Sequence, residues 1–481
     1  MVERAHQDPR KVTARPLWLP AGLVRSRAWA RTVSLLALAA SDLLALAAAL
    51  GMAVGARISL LPVLSRGFER PTYPLAHYAA LWWIPVVYLT ALAYTGLYTR
   101  RDPYWEEVRR CLQAATIAVV LMFAALSVAK TGGDVSRPVV VLAWGILLVV
   151  LPLLRGATKE ALFAAGPWRK PALLVGHGRR AAALLEALRR NRTLGYDVVE
   201  TIADPAEAPH RAVAAGAREV ILAIPELGRA EFLHLVERLR EVAENVVIAP
   251  DLAEAPVLGV EVIGLLEDRA LLLRVPNNLL KPWNLAVKRI FDLAVASALA
   301  LGLAPFVAAA GLAILWESRG PAFHVEPRVG RRGIPFACYK LRTMFRDADR
   351  RLGAYLAANP EAAAEWQRFR KLRTYDPRVT RVGRFLRRYS LDEIPQLLNV
   401  MRGEMSLVGP RPYLSPETAL IDHDGLTDVR PGMTGLWQVS GKNALDLRER
   451  SRLDRWYVNN WSLWLDVIVL VKTVPVILGA R

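Results

Sequence analysis

Residues 288–316 read KRIFDLAVASALALGLAPFVAAAGLAILW, and this stretch decides how the second half of the chain meets a membrane. The 24 residues from Leu293 to Trp316 carry no charge, which is enough helix to cross about 30 Å of hydrocarbon. Pro305 lies near the middle, where it removes a backbone donor and clashes with the carbonyl of Leu301. Two structures remain open: a kinked helix that spans the bilayer, or a helix that breaks at Pro305 and returns to its own side.

Further apolar blocks precede this stretch in the first third of the chain, and each is near the length of one membrane span. They cover residues 33–56, 75–98, 111–129 and 139–154. The Arg-rich segment 1–32 lacks the features of a removable signal peptide. The sequence therefore predicts a cytosolic N-terminal tail over residues 1–32 and a four-helix transmembrane anchor over residues 33–155.

Basic residues flank these blocks mainly on one side, for example Arg31, Arg100 and Arg155, and the positive-inside rule places that side in the cytosol. Asp42 lies inside the first block, where a lone carboxylate is costly to bury. It either pairs across the bundle, or is protonated, or reaches the interface. The rarity of charged residues inside membranes favours the last two. Nothing in these helices suggests a transport path, so we interpret them as an anchor.

The middle of the chain alternates short apolar runs with helical stretches from Pro171 onward. This alternation predicts a parallel α/β sheet of Rossmann type over residues 170–275. The turn GHGRRA at 176–181 matches G-x-G-x-x-A between a strand and a helix, and Glu200 or Asp204 lies where a ribose-binding acid is expected. Because a fold alone does not carry a function, the ligand stays open, and a domain without a bound dinucleotide is favoured.

The composition limits the partners. Of 481 residues, 53% are hydrophobic and fall in blocks, as in a membrane protein with a large soluble part. The formal net charge of +19 suits a phospholipid surface, a phosphorylated substrate or nucleic acid. A nucleic-acid binder would interleave aromatic and basic residues on a soluble surface, so no nucleic acid is expected here. Cys111 and Cys338 form neither a disulfide framework nor a zinc motif.

A basic run leads into a pair of adjacent acids. Residues 368–388 contain nine Lys or Arg and one acid, Asp376, and continue into YSLDEIPQ at 389–396. The carboxylates of Asp392 and Glu393 repel each other unless a cation lies between them or one acts as a nucleophile. Nearby guanidinium groups would bind phosphates and keep the carboxylates ionised. The sequence therefore predicts a phosphate-directed carboxylate nucleophile with a metal-binding neighbour.

Seven motifs between residue 277 and the C-terminus together resemble the bacterial sugar transferases, which are monotopic polyprenyl-phosphate phosphoglycosyl transferases. They are GPAFHVEPRVGRRGIPF at 320–336, YKLRTM at 339–344, DPRVTRVGRFLRR at 376–388, SLDEIPQ at 390–396, LNVMRGEMSLVGPRP at 398–412, RPGMTGLWQVSG at 430–441 and WSLWLD at 461–466. The anchor and Rossmann-like domain ahead of them look like the large subclass. The linker NNLLKPWN at 277–284 is most similar to that of undecaprenyl-phosphate galactose phosphotransferases.

The resemblance implies a two-step reaction centred on the acid pair. Asp392 would attack the β-phosphate of a UDP-sugar, expel UMP and hold the sugar phosphate as an acyl phosphate. Glu393 would help to bind Mg²⁺, which neutralises the diphosphate. Undecaprenyl phosphate would then take the sugar phosphate. Galactose 1-phosphate is the favoured group, because the linker is most similar to the galactose phosphotransferases.

The resemblance also implies which basic residues bind the substrates, and two positions depart from the family pattern. The implied substrate-binding residues are Lys340, Arg342, Arg388, Arg411 and Lys442. Lys442 stands where the family often has Arg, and it keeps the charge but loses the paired donors. Ala304 stands where the family often has Ser before Pro305, so no hydroxyl is there to satisfy the carbonyls that the proline frees.

The resemblance favours the re-entrant course of the stretch 293–316, because nucleotide sugars are cytosolic and the dyad must be cytosolic too. It implies a mainly helical monotopic phosphoglycosyl transferase domain over 277–481, with its membrane helix broken at Pro305. The apolar stretch 463–478 would lie in the interface. The expected location is the bacterial cytoplasmic (inner) membrane, as a multi-pass protein with its catalytic domain on the cytosolic face. UDP-sugar, undecaprenyl phosphate and the lipid bilayer are the expected partners, and a homodimer is compatible with this organisation.

Two functions from different classes remain at this point. The first is an enzyme that starts a lipid-linked glycan for O-antigen, capsule or exopolysaccharide. The second is a membrane-bound regulatory scaffold whose Rossmann-like domain senses a nucleotide and whose transferase domain is inactive. The intact pair of Asp392 and Glu393, with Arg388 and Arg411, favours the enzyme.

Overall fold

A computed structural model of the chain describes residues 21–64, 82–128, 136–224, 228–249, 261–265, 270–274, 278–369, 372, 375–418, 426–441 and 445–479. The chain divides into two compact units, residues 1–251 and 252–481. The domain boundaries predicted at residues 32, 155 and 275 stay predictions.

Apolar helices open the first unit. They are α1 (Ala21–Ser59), the short α2 (Leu61–Leu64), α3 (Trp83–Tyr94), α4 (Tyr104–Val128) and α5 (Arg137–Ala165). By length and composition, α1 from Trp29 onward, α4 and α5 could each cross a membrane, whereas α3 has 12 residues. Part of the predicted second span, residues 75–81, lies outside the described residues. The four predicted apolar helices near the N-terminus are confirmed.

A buried ionic network joins three of these helices. Arg155 of α5 donates to Asp42 of α1 at 2.6 Å and to Glu107 of α4 at 3.1 Å. Lys159 pairs with Glu107 at 2.7 Å, and the Tyr98 hydroxyl donates to Asp42 at 2.6 Å. The expectation that Asp42 is protonated or reaches the interface was therefore wrong, because its partner lies 113 residues away in sequence and only the folded bundle brings the two together.

The first unit continues with a four-stranded parallel sheet of order β2-β1-β3-β4. Its strands are β1 (Lys170–Val175), β2 (Tyr196–Ile202), β3 (Glu219–Leu222) and β4 (Asn245–Ile248), and its helices are α6 (Gly178–Arg190), α7 (Ala208–Ala214) and α8 (Arg229–Arg240). Alternate residues of β1 face opposite sides: Leu173 packs in a cluster with α7 and α8, and Leu174 in one with α6. The predicted parallel sheet is confirmed, and its Rossmann-type assignment stays a prediction.

The second unit is mostly helical around short strand pairs. Its elements are β5 (Glu261–Leu265), β6 (Ala270–Arg274), α9 (Pro282–Glu317), β7 (Phe323–Val329), β8 (Pro335–Leu341), α10 (Ala348–Ala358), α11 (Pro360–Phe369), α12 (Arg381–Arg388), α13 (Gln396–Arg402), β9 (Ser406–Val408), α14 (Ser415–Thr418), β10 (Gly432–Thr434), α15 (Leu436–Val439), α16 (Leu447–Asn459) and α17 (Leu463–Ile477). β7 and β8 form an antiparallel hairpin, and β9 pairs with β10 in parallel. The core joins α9, α13, α16 and α17 through Ala296, Val400, Tyr457 and Val469.

α9 contains the stretch that decides the membrane course. It is assigned as one helix from Pro282 to Glu317, with Pro305 in its interior. The helix therefore continues through Pro305, and the predicted break does not appear as an interruption of it. A proline removes one backbone hydrogen bond, but the neighbouring residues can keep helical dihedrals. By length and composition α9 is long enough to span a membrane. Its re-entrant course and the interfacial position of α17 stay predictions.

Candidate active site

The acid pair lies on a single 3-10 turn, Leu391–Glu393, between α12 and α13. Ser390, directly before the turn, has φ = 53°, a left-handed conformation that is costly for a residue with a side chain. Strain of this kind is kept only where the surrounding structure holds it, which is common at functional sites. The turn places both carboxylates on the wall of one cavity.

Two motifs far apart in sequence meet beside this turn. Thr380 begins α12, and its hydroxyl accepts a hydrogen bond from the Gly383 amide at 2.9 Å. Gly383 packs against the backbone at the end of β8, where an added Cβ would lie 2.1 Å from the Thr343 carbonyl oxygen. Arg387 donates from Nε to the Thr343 hydroxyl at 2.8 Å. These contacts explain why glycine is required in α12, and they bring residues 339–344 to the dyad.

The cavity over the dyad has a volume of about 780 Å³, and its charge is unbalanced. Six basic and three acidic side chains line it: Arg328, Lys340, Arg342, Arg346, Arg387 and Arg411, with Glu326, Asp392 and Glu393. An excess of guanidinium groups favours a ligand that carries several negative charges, such as a diphosphate.

Of the two acids, Glu393 is the one that forms an ion pair with Lys340, whose ammonium group lies 3.0 Å away. Burial raises the pKa of Asp392, the neighbouring charge of Glu393 raises it further, and Lys340 and Arg387 counteract this. Asp392 therefore lies in a partly desolvated position, and Lys340 and Arg387 favour its charged form there.

The acid pair fits a magnesium ion. Within the described part of the chain, no three His, Cys, Asp or Glu side chains come together as a metal site. Mg²⁺, however, commonly binds through one or two carboxylates together with substrate phosphates and waters. Burial raises the pKa of Asp392 and the adjacent charge of Glu393 raises it further, so a cation bound between the two carboxylates would relieve their repulsion.

Arg342, a predicted substrate-binding residue, lines the cavity and donates to the chain from its terminal nitrogens, while its buried Nε has no hydrogen-bond partner among the described residues. It donates to the Ser318 hydroxyl at 2.8 Å and to the carbonyl of Arg319 at 3.2 Å. These acceptors follow the end of α9. Arg342 therefore connects the membrane helix to the cavity wall.

Arg411 is held by an acid that sequence reasoning missed. Its backbone amide donates to buried Asp454 at 3.0 Å, and the Tyr413 hydroxyl donates to the same carboxylate oxygen at 2.7 Å. Burial raises the pKa of Asp454 to about 7. The Arg411 guanidinium pairs with Glu417 at 3.2 Å and lies over the ring of Trp437. Asp454 is 43 residues from Arg411, and no local pattern relates the two.

The remaining predicted residues are placed differently. Arg387 lines the cavity, whereas Arg388, the predicted residue, does not and lies over the ring of Tyr389. Lys442 lies outside the described residues. The structure therefore brings together Lys340, Arg342, Asp392, Glu393 and Arg411 and adds Arg387 to them.

The glycine-rich turn of the parallel sheet has a structural explanation. An added Cβ at Gly176 would lie 2.7 Å from the carbonyl oxygen of Ala223, so this glycine allows two strand ends to approach each other. Asp204 accepts a hydrogen bond from the Ala206 amide, and Glu200 pairs with Arg211 at 3.4 Å. Both candidate ribose-binding acids thus have partners within the chain.

Comparison with known proteins bears directly on this site. The bacterial sugar transferase family matches residues 283–480. The chain is 36% identical over 403 residues to the undecaprenyl-phosphate galactose phosphotransferase of Salmonella typhimurium, covering 79% of this chain and 83% of that protein. It is 33% identical over 399 residues to the UDP-galactose-lipid carrier transferase of Erwinia amylovora, with coverage of 79% and 83%. It is 40% identical over 201 residues to the UDP-glucose:undecaprenyl-phosphate glucose-1-phosphate transferase of Caulobacter vibrioides, covering 40% of this chain and 69% of that protein.

The second unit has an acid pair in a cavity with an excess of basic side chains, and it carries a long apolar helix. These features define a membrane enzyme that acts on phosphate groups. The chain belongs to the bacterial sugar transferase family, and it is a phosphoglycosyl transferase. The family predicted from the motifs is confirmed.

Proposed function

We propose that the protein transfers galactose 1-phosphate from UDP-galactose to undecaprenyl phosphate and releases UMP. This would be the first membrane step of O-antigen, capsule or exopolysaccharide synthesis. Two of the relatives that span 79% of the chain are named for galactose, whereas the glucose enzyme of Caulobacter covers 40% of it. Similarity over 79% of the chain, well beyond the transferase domain, supports galactose over glucose.

The observation that carries the proposal is the division of labour between the two acids. Lys340 pairs with Glu393, which leaves Asp392 as the acid whose pKa is raised by burial. A partly desolvated carboxylate beside six basic residues suits attack on a phosphorus atom that is itself surrounded by negative oxygens.

In the first step, a carboxylate oxygen of Asp392 forms a bond to the β-phosphorus of the UDP-sugar. The bond from that phosphorus to the bridging oxygen breaks, and UMP leaves with the electron pair. Arg387, Arg411 and Lys340 would hold the diphosphate oxygens in place. Mg²⁺ held by Glu393 and the diphosphate would supply charge neutralisation for the leaving phosphate.

In the second step, an oxygen of undecaprenyl phosphate attacks the phosphorus of the acyl phosphate. The bond to Asp392 breaks, the carboxylate is restored, and the product is a lipid-linked sugar diphosphate. Two displacements at one phosphorus allow UMP and the lipid to use the same cationic cavity in turn, which is a ping-pong reaction.

Contacts at both ends of α9 support a re-entrant course, and the cytosolic location of nucleotide sugars supports a cytosolic position for the dyad. Near its start, Lys288 pairs with buried Asp466 at 2.6 Å. At its end, Glu317 accepts hydrogen bonds from the amides of Arg381 and Val382, at the beginning of α12, at 2.6 and 2.8 Å. Both ends are thus bound to the same catalytic domain. The homodimer stays a prediction.

UMP release from a panel of UDP-sugars tests the proposal. Full-length protein with undecaprenyl phosphate and Mg²⁺ should release UMP from UDP-galactose faster than from UDP-glucose or UDP-N-acetylated sugars, and should form a lipid-linked product. Faster release from another sugar would replace galactose. No release from any UDP-sugar, in protein that is folded and carries lipid, would contradict the transferase function.

A further inference from the structure

A second cavity of about 260 Å³ lies beside the start of α9. It has an apolar wall with Leu279, Leu285 and Trp461. Four basic side chains and one acid, Asp428, also line it; the basic ones are Lys288, Arg289, Arg331 and Arg430. Among the described residues, none lines both this cavity and that of the dyad, so this site is separate.

The C-terminal turn of α13 holds two of the arginines in place. Arg289 donates from its two terminal nitrogens to the carbonyls of Val400 and Met401, at 2.6 and 3.0 Å. Arg430 donates from Nε to the carbonyl of Gly403 at 2.8 Å. The absence of a side chain at Gly403 leaves space for Arg289, whose terminal nitrogen would lie 3.3 Å from an added Cβ. Helix carbonyls thus orient these guanidinium groups.

The third arginine comes from the tip of the hairpin formed by β7 and β8. Arg331 donates from Nε to the carbonyl of Asp428 at 2.9 Å. The hydrogen bonds of Arg331 and Arg430 to the protein use Nε, and a guanidinium group has further donors on its terminal nitrogens. Both residues therefore keep donors for a ligand while their position is fixed.

The charge at this cavity is not balanced. Lys288 pairs with Asp466, but no carboxylate among the described residues lies within 4.0 Å of the guanidinium groups of Arg289, Arg331 or Arg430. Burial and the charges of Arg289 and Arg331 lower the pKa of Arg430. Asp428 also lines the cavity, and Asp292 counteracts the lowering of the pKa of Arg430, but the three converging guanidinium groups still outnumber these acids, so a bound anion would reduce their repulsion.

We propose that this three-arginine cavity binds the phosphate headgroup of an anionic glycerophospholipid, such as phosphatidylglycerol. The uncharged run of α9 begins at Leu293, four residues after Arg289. Trp283 and Ile290 on the same helix are 77% and 67% exposed. The cavity is therefore next to the part of the domain expected to enter lipid, where a headgroup phosphate would find the arginines and its acyl chains the apolar surface.

The size and position of the cavity separate this ligand from the two substrates. A volume of about 260 Å³ is a third of that of the dyad cavity, so a whole nucleotide sugar would not be enclosed. An acceptor lipid phosphate bound here would be in a cavity that Asp392 does not line, and from there it could not attack the acyl phosphate on Asp392. A resident lipid would instead hold the base of α9 at the membrane surface.

Arginine labelling of the wild-type protein tests the proposal. Full-length protein in detergent is treated with p-hydroxyphenylglyoxal, and modification is followed by peptide mass spectrometry. Dihexanoyl phosphatidylglycerol should slow the labelling of Arg331 and Arg430 about fivefold or more. Arg332, which neighbours Arg331 but is exposed and does not line the cavity, should be labelled at an unchanged rate. Dihexanoyl phosphatidylcholine should protect much less.

Protection by two other phosphate compounds shows whether the bound phosphate belongs to a phospholipid, a soluble molecule or the acceptor lipid. Equal protection by glycerol 1-phosphate would make this a site for soluble phosphates, and stronger protection by farnesyl phosphate would assign it to the acceptor lipid. Either result, or no protection by phosphatidylglycerol, overturns the proposal. These measurements use the wild type, so they do not depend on the folding of a variant.

A pair of double variants provides the second test. R331Q/R430Q should lose the phosphatidylglycerol that stays bound to wild-type protein after extraction from nanodiscs. R332Q/R350Q removes the same charge from exposed positions outside the cavity and should retain the lipid. Equal retention by both variants would contradict the proposal.

Discussion

The helical anchor and the catalytic cavity both contain clustered charges, but the two clusters are composed differently. In the anchor, Asp42 and Glu107 pair with Arg155 and Lys159, so two acids meet two bases, and all four side chains are at most 5% exposed. In the catalytic cavity, six bases meet three acids.

The difference teaches how to separate a structural cluster from a functional one. The balanced network in the anchor leaves no net charge, and its contacts of 2.6 to 3.1 Å join α1, α4 and α5. It therefore specifies how helices pack in a medium that cannot solvate charge. Even with Glu417 paired to Arg411, the cavity keeps more basic than acidic side chains, so an anionic substrate would complete it.

The largest effect should come from Asp392→Asn, which keeps the size of the side chain but removes the nucleophilic charge. We expect UMP release to fall by about three orders of magnitude or more, with thermal unfolding unchanged. Asp349→Asn, at an exposed position on α10, is the matched control and should retain activity. If Asp392→Asn kept more than a tenth of wild-type activity, the cavity would lose its assigned nucleophile.

Arg155→Met should give the opposite result, with loss of stability and retained chemistry. Breaking a buried ion pair leaves an unpaired charge and typically costs about 3–5 kcal/mol of unfolding free energy. A lower unfolding temperature should appear, while activity per folded molecule stays near the wild-type value. Arg109→Met is the control, because Arg109 forms an ion pair with Glu106 that is largely exposed. Equal unfolding temperatures for the two variants would show that the anchor network is not structural.

Lys340→Gln should reduce turnover by about two orders of magnitude, since it removes a cation from the site of developing charge. The pH dependence should change as well. In the proposed mechanism Asp392 acts as a carboxylate, so activity should be lost as the pH falls through its pKa, and Lys340 lowers that pKa. Without Lys340 the acidic limb of the pH–rate profile should move to higher pH. An unshifted limb would contradict this electrostatic role, and exposed Lys281→Gln provides the control.

The smallest effect separates two adjacent arginines. Arg387 lines the cavity and Arg388 does not, so Arg387→Gln should lower kcat/KM about tenfold and Arg388→Gln about twofold. The comparison uses one substitution at neighbouring positions of α12. A larger loss for Arg388→Gln would restore the residue that the motif predicted.

Sequence reasoning succeeded where the signal is local and failed where partners meet only in the fold. The apolar helices and the parallel sheet follow from block length and strand–helix alternation, so both could be predicted. The pairing of Asp42 with Arg155, and of Asp454 with Arg411, joins positions 113 and 43 residues apart, and no periodicity encodes either. The choice between Arg387 and Arg388 depends on which face α12 turns to the cavity, and the motif contains both.

The most direct test of the central claim is the intact mass of the enzyme before any lipid acceptor is added. Full-length protein incubated with UDP-galactose and Mg²⁺ should release one equivalent of UMP and gain the mass of one hexose phosphate, located on Asp392, because covalent catalysis requires the intermediate to form first. Adding undecaprenyl phosphate should return the protein to its unmodified mass. An unmodified mass throughout, in enzyme that releases UMP only when lipid is present, would contradict the covalent mechanism and favour direct transfer within a ternary complex.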